Sequence, residues 1–256
     1  MWGWPAAAAS KSTSNPSPDA MRPEILKALN EARHANRAIV RATDLATGED
    51  VLVDPGTDKT ALGIAAANAA RADQSAPAEI EGRNWFLAVF NPALDLVIVG
   101  AVHIAQPLAQ MAAMAGYGVR VIDPRTSFAT PERFPGTALS HDWPDEALQK
   151  NPLGPRSALV ALTHDPKVDD PALVAALKSR CFYIGALGSK KTQAGRRARL
   201  NAAGFSDDDV KRIHGPIGLA IGARSPAEIA ISILAEMTEV LRVGGTRELA
   251  AAHATV

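Results

Sequence analysis

Cysteine is almost absent: Cys181 is the single one in 256 residues. A lone thiol closes no internal disulfide and cannot build a cysteine-based zinc site. An excess of either charge is absent too. Lys+Arg and Asp+Glu are 27 each, which argues against general nucleic-acid binding and against a polybasic membrane surface. Aromatic residues reach only 5%, so small and branched aliphatics must fill the interior, with helices close to their neighbours. Residues 1–20 (MWGWPAAAASKSTSNPSPDA) have no basic stretch and no sustained apolar core, so they do not read as a secretory signal. Their Pro, Ser and Ala content reads as a disordered tail, with Met21 an alternative start. One uncharged run, residues 96–119, is long enough to cross a bilayer. His103, Gln106, Pro107, Gln110 and the glycines at 100, 116 and 118 interrupt it, and it opens on Leu96-Val97-Ile98-Val99, the pattern of a buried strand. No membrane span is expected, and a cytoplasmic location is the default.

What is present is a 47% apolar chain, enough for one large domain or two modest ones without a staple. Beyond the tail, residues 21–91 read as a small α+β domain. Residues 22–34 form a helix with Ile25, Leu26 and Leu29 on one face. Two short strands, 38–43 and 50–53, flank the turn Ala46-Thr47-Gly48. An alanine-rich helix follows over 58–72, and a strand over 84–90. Asn91-Pro92 marks the boundary, because a residue before proline is biased to extended backbone. Residues 92–256 change pattern. Apolar strands over 96–100, 119–123, 157–163 and 181–185 alternate with helices: one to about residue 115, one over 170–179 capped by Asp170 with Pro171 at its first turn, and one over 190–203. Continuous apolar strands alternating with helices mean a parallel sheet covered on both faces. The fold class is α/β, a Rossmann-like doubly wound sheet with a small N-terminal α+β domain.

Four stretches can carry chemistry. Gly100-Ala101-Val102-His103-Ile104-Ala105 follows the first apolar strand and occupies the place of a dinucleotide-binding turn, with Asp123 where such folds put the ribose-binding acid. Val102 stands where the second glycine lets a pyrophosphate approach, which disfavours ordinary NAD(P) binding. His103 and Thr163-His164-Asp165 both lie at carboxyl ends of strands, the ligand side of such sheets. Tyr183-Ile184-Gly185-Ala186-Leu187-Gly188-Ser189-Lys190-Lys191 ends a strand in glycines and opens a basic helix, an arrangement for an anion, although it is not a Walker loop. His214-Gly215-Pro216-Ile217-Gly218-Leu219-Ala220-Ile221-Gly222-Ala223-Arg224 is a rigid glycine-rich loop. It leads into the capping box of Ser225 and Glu228 and a helix over 226–242 that stops at Gly244-Gly245, with Ile229, Ile233, Met237 and Val240 along one face. Cys181, at the start of a strand, reads as a buried thiol more readily than as a sulfur carrier.

Together the segments IVGAVHIAQPLA, VIDPR, THDPKVDDPAL, YIGALGSKKT and HGPIGLAIGARSPAEIAISILAE resemble the XdhC/CoxI family over roughly residues 94–242. These are maturation factors of molybdenum hydroxylases such as xanthine dehydrogenase and CO dehydrogenase. The resemblance implies a chaperone without turnover of its own. It would bind the molybdenum cofactor, as molybdopterin or its dinucleotide, assist sulfuration by a cysteine desulfurase, and insert the cofactor into the apo-hydroxylase. A homodimer is implied as well. Neither catalytic residues nor a metal ligand set is assigned. The implied cofactor-binding set is Gly100, His103, Asp123, Arg125, His164, Asp165, Gly185, Gly188, Ser189, Lys190, Lys191, His214, Gly218, Gly222 and Arg224. Longer family members carry a G-G-C-type segment near the N-terminus. Residues 1–92 here contain no cysteine, so the chain resembles a short form. Two other readings stay open: an NAD(P)-dependent oxidoreductase, and a ligand-free interaction scaffold.

Overall fold

The structure, a computed structural model, describes residues 22–243. The expected tail over 1–20 and the expected helix stop at Gly244-Gly245 lie outside the described residues. The first part is built from α1 (Pro23–His34), β1 (Ile39–Asp44), β2 (Asp50–Val53), α2 (Ala61–Ala72), β3 (Ala76–Ile80) and β4 (Arg83–Phe90). Its strands form an antiparallel sheet in the order β2-β1-β4-β3. The β3–β4 hairpin turns on Glu81 and Gly82, both with positive φ, the geometry whose twist suits a two-residue loop. Sequence pattern does not give β3, because Ala76–Ile80 carries Pro77; the strand stands at the sheet edge, where a missing N–H does little harm. α2 starts three residues later than the alanine run suggests, since Thr60 caps it by accepting from the Gly63 N–H.

The second part contains β5 (Leu94–Val99), α3 (Ala105–Met114), β6 (Tyr117–Ile122), β7 (Ala138–Ser140), α4 (Pro144–Lys150), β8 (Ser157–Ala161), α5 (Pro166–Lys178), β9 (Tyr183–Ala186), α6 (Lys190–Ala202), α7 (Asp207–Val210), β10 (Ile213–His214) and α8 (Pro226–Arg242). Six parallel strands run in the order β10-β9-β8-β5-β6-β7. The order reverses between β5 and β8, so the switch point of a doubly wound sheet lies there. Both faces are covered, as the apolar strands require. Leu96 and Ile98 pack with α3 and α8, while Val97 and Val99 pack with α4, α5 and α6. Asp73, just after α2, ties the two parts together through ion pairs from Arg156 and Arg242. Among the described residues no helix is long and apolar enough to cross a membrane.

One helix start differs from expectation. Asp170 does not cap α5. Asp165 does, accepting from the Lys167 N–H at 2.9 Å with Pro166 at the first turn, and Pro171 sits inside the helix. Two proline-led starts compete in this stretch. The earlier one places Asp169, rather than Asp170, in the first turn, where Thr163 and His164 need a buried acceptor. The short elements β7, α4, α7 and β10 are too brief to show a period, and sequence pattern does not give them.

Candidate functional site

At the first strand end, Gly100 has φ +104°, and a Cβ there would lie 2.4 Å from the Thr163 Cγ2 across the switch point. The glycine therefore serves close packing between the two loops. Asp123 is fully buried. Its carboxylate accepts from the Ala101 N–H (2.8 Å), from the Arg125 backbone N–H (3.0 Å), and from the Arg125 guanidinium at 2.8 and 2.7 Å. Burial alone would push this carboxyl up; the Arg125 and Ala101 donors outweigh it and hold it below the usual range. Arg125 also lies over the Phe128 ring at 4.3 Å. The acid that would read a ribose is thus consumed by the fold: it pins the β5 turn to the loop after β6. His103 is exposed beside it. Val102→Gly is therefore expected to leave the protein without measurable NAD(P)H affinity, and a calorimetric titration checks this.

The loop after β8 carries a strained residue. His164 has φ +65°, a conformation that costs a non-glycine residue roughly 1–2 kcal/mol. What holds it is Asp169, 1% exposed, which accepts from the His164 N–H (3.2 Å), the Thr163 N–H (3.2 Å) and the Thr163 hydroxyl (2.7 Å). Arg196, 3% exposed, reaches the same carboxylate at 3.4 Å and donates to the Leu187 carbonyl and to Gln193. Burial pushes Asp169 up and Arg196 down, the two sides of one desolvated pair. The Arg196 Nε has no hydrogen-bond partner. His164→Gly is expected to raise stability by up to about 1 kcal/mol, as relief of a left-handed backbone should. A urea titration measures it; a loss instead would mean that the imidazole makes a stabilising contact.

Between this loop and α6 opens a cleft of about 270 Å³ whose walls include His164, Asp169, Lys191, Thr192, Arg196 and Arg199. Ser189 caps α6, accepting from the Thr192 N–H at 3.3 Å. The N–H groups of Lys190 and Lys191 have no intrahelical partner, as at any helix start. Both lysine side chains are exposed and unpaired among the described residues. Arg199 is neutralised by Asp170 at 2.5 Å. Gly188 (φ +139°) packs on Thr192, and Gly185 lies inside β9 under Ile217. At Gly185 the missing Cβ makes room for the Ile217 side chain.

The glycine-rich loop starts against α6, where Gly215 meets the Gln193 side chain, and then leaves it. α8 packs beside α3, on the face opposite α6. His214 stacks on Tyr183 at 4.7 Å and meets Glu236 at 3.2 Å. Glu236 also accepts from the Tyr183 hydroxyl (2.5 Å) and the Gly218 N–H (2.8 Å). Gly218 (φ +90°) lies against Ser232, while Gly222 and Arg224 are exposed. His214 and Gly218 therefore clamp the loop to α8, and Arg224 does not line the α6 cleft. Asp165 serves as the α5 cap. Of the expected set, His164 and Lys191 line one cleft, and Ser189 and Lys190 stand at its α6 end. Asp169 joins them without having been expected from sequence, and so do Arg196 and Thr192 as site residues, although they belong to the basic helix that the sequence marks. The DxxxD spacing of Asp165 and Asp169 at a proline-led helix start was the available signal for Asp169, and the basic helix that opens at Lys190 was the signal for Thr192 and Arg196. No cluster of three or more metal-ligating residues occurs among the described residues.

The family described as XdhC Rossmann domain matches residues 96–237. The chain is 32% identical over 157 residues to "Molybdenum cofactor insertion chaperone PaoD" of Escherichia coli K12, covering 61% of this chain and 43% of that protein. It is likewise 32% identical to a probable xanthine dehydrogenase subunit of Bacillus subtilis, covering 61% and 46%. It is 31% identical to the E. coli protein YqeB, covering 60% and 29%. The chain thus spans less than half the length of these relatives. A crystal structure described as a xanthine dehydrogenase from Bacillus halodurans shares the fold, with a TM-score of 0.62 and 24% identity over 89% of this chain and 68% of that one. The family match spans more than half of the sequence, and the chain belongs to the XdhC family through this Rossmann domain.

Proposed function

We propose that this protein is a molybdenum-cofactor chaperone. It holds the cofactor by its phosphate end and passes it to an apo molybdenum hydroxylase of the xanthine dehydrogenase or CO dehydrogenase type, in the cytoplasm and without turnover of its own. The observation that carries this reading is the α6 cleft: Lys191, unpaired among the described residues, two helix-start N–H groups without an intrahelical partner, and one lining carboxylate, Asp169, whose charge faces Arg196. Free donors with no competing free acid fit a phosphate. At about 270 Å³ the cleft accommodates that end rather than the whole pterin. The name of the E. coli relative supports the same role. The oxidoreductase reading is disfavoured by the sealed Asp123.

Sulfuration with a cysteine desulfurase, if this chain attends it, does not run through Cys181. That thiol is buried, lies 3.7 Å from the Ala176 carbonyl, and is pushed up by burial, so little of it is thiolate. A homodimer belongs to the same proposal, and light scattering checks it.

Titration of the purified protein with molybdopterin tests the core of the reading. Lys191→Glu is expected to weaken binding roughly tenfold or more, about 1.4 kcal/mol, with an unchanged melting curve because the side chain is exposed. Arg224→Glu, outside the cleft lining, is expected to leave it unchanged. Equal affinities for wild type and Lys191→Glu would overturn the assignment of the cleft.

A further inference from the structure

A second concave surface lies at the other end of the molecule. Leu26, Asn30 and Arg33 of α1 line a groove of about 430 Å³ against Phe90 at the end of β4. Its floor is apolar: Leu29 and Ile39 are buried, and Val89 lies beside them. Its rim is apolar as well, with Leu26 51% and Phe90 40% exposed. Two large apolar side chains from different elements, converging on one groove, form a continuous patch rather than scattered surface residues.

The polar groups at the groove carry one sign. Among the described residues, no acidic side chain lines it. Arg37 is satisfied by Asp54 at 2.9 Å, whereas the side chains of Arg33 and Asn30 have no partner among the described residues. Leu26, Leu29, Asn30 and Arg33 recur at helical spacing, so α1 presents a stripe that runs from apolar to cationic. The complement of such a stripe is a segment with apolar side chains on one face and a carboxylate beside them.

We propose that this groove docks an acidic amphipathic helix of a partner protein, with its apolar face between Leu26 and Phe90 and a carboxylate on Arg33. The location suits a docking site. Asn91 and Pro92, which also line the groove, lead within two residues into β5, so the groove lies toward the amino edge of the parallel sheet, while the α6 cleft lies at the carboxyl edge. The six residues of β5 span about 20 Å between those two edges. A partner seated on the groove leaves the cleft open, and the assignment stands whatever the cleft binds.

Fluorescence anisotropy tests the proposal with a short labelled helical peptide bearing leucines at i, i+3, i+4 and i+7 and glutamates elsewhere. A counterpart with lysine for every glutamate is the control. The acidic peptide is expected to bind roughly tenfold more tightly than the basic one. Leu26→Asp is expected to abolish binding of the acidic peptide. Arg33→Glu is expected to reverse the preference between the two peptides, a result that loss of folding cannot imitate. Equal affinities for the two peptides, or an unchanged preference in Arg33→Glu, overturn the proposal. So does binding that emerges only after removal of residues 1–21, which would give the groove to the chain's own N-terminal segment. A dimer that Leu26→Asp converts to monomer in light scattering would give it to a second copy and overturn the proposal too.

Discussion

Asp169→Ala is expected to destabilise the protein by about 3–5 kcal/mol, the range for removing one member of a buried ion pair. The carboxylate is 1% exposed, and four donors converge on it: both groups of Thr163, the His164 N–H and Arg196. Alanine leaves the Thr163 and His164 N–H groups without their acceptor and strands the Arg196 charge, which keeps only the Leu187 carbonyl and Gln193. The total stability of a domain is only about 5–15 kcal/mol, so this one substitution removes a large share of it. Chemical denaturation measures the loss. A shift under about 1 kcal/mol would mean that water replaces the carboxylate and that the loop is looser than its geometry indicates. The double variant Asp169→Asn/Arg196→Leu is expected to recover part of the loss, because no buried charge then lacks a partner. The pH dependence has a definite sign. Burial raises the Asp169 carboxyl above its ordinary value, so the folded state holds this proton more tightly than the unfolded chain does. Its desolvation penalty is therefore present at neutral pH and relieved as the pH falls through the folded value.

Glu236→Ala is expected to cost about 3 kcal/mol, the sum of two orphaned donors at roughly 1–3 kcal/mol each with partial relaxation. Tyr183 is 1% exposed and its hydroxyl donates to this carboxylate, as does the Gly218 N–H, while His214 closes the third side. Here the pH sign is opposite. Burial would push Glu236 up, but the donors from His214, Tyr183 and Gly218 outweigh it and hold the carboxyl below the usual range. The contribution of Glu236 is complete above the unfolded carboxylate value of about 4.3. It is lost as the pH falls through the depressed folded value. Glu236→Gln removes that titration, so its stability should fall less steeply than that of the wild type below about pH 5. Parallel stability curves for the two proteins would mean that Glu236 is not the group lost on acidification.

The fold was legible in the sequence where a pattern is long. Apolar stretches such as Leu96-Val97-Ile98-Val99 can be satisfied only between two helical layers, and the capping box of Ser225 and Glu228 fixes the α8 start. It was not legible where elements are short, as in β7 and β10, or where two starts compete, as before α5. Of the candidate cleft, Lys191 and His164 were marked in the sequence, because glycines, lysines and a histidine after strand ends announce loops with free donors. What the sequence did not show at Asp123, which has the position of a ribose-binding acid, is that its carboxylate accepts from Arg125 and Ala101 within the fold.

By itself, then, the sequence determined the doubly wound sheet and the basic start of α6, since periodicity, capping and glycine placement are local properties that act over a few residues. Only the tertiary structure decided which of the marked residues meet. It drew Lys191 to His164 through the buried Asp169–Arg196 pair, left His214 and Arg224 outside the cleft lining, and closed Gly185 under Ile217. The physical reason is that partner choice for a charge or a Cβ-free position depends on strand order and helix face. Those are set by the packing of segments far apart in the chain.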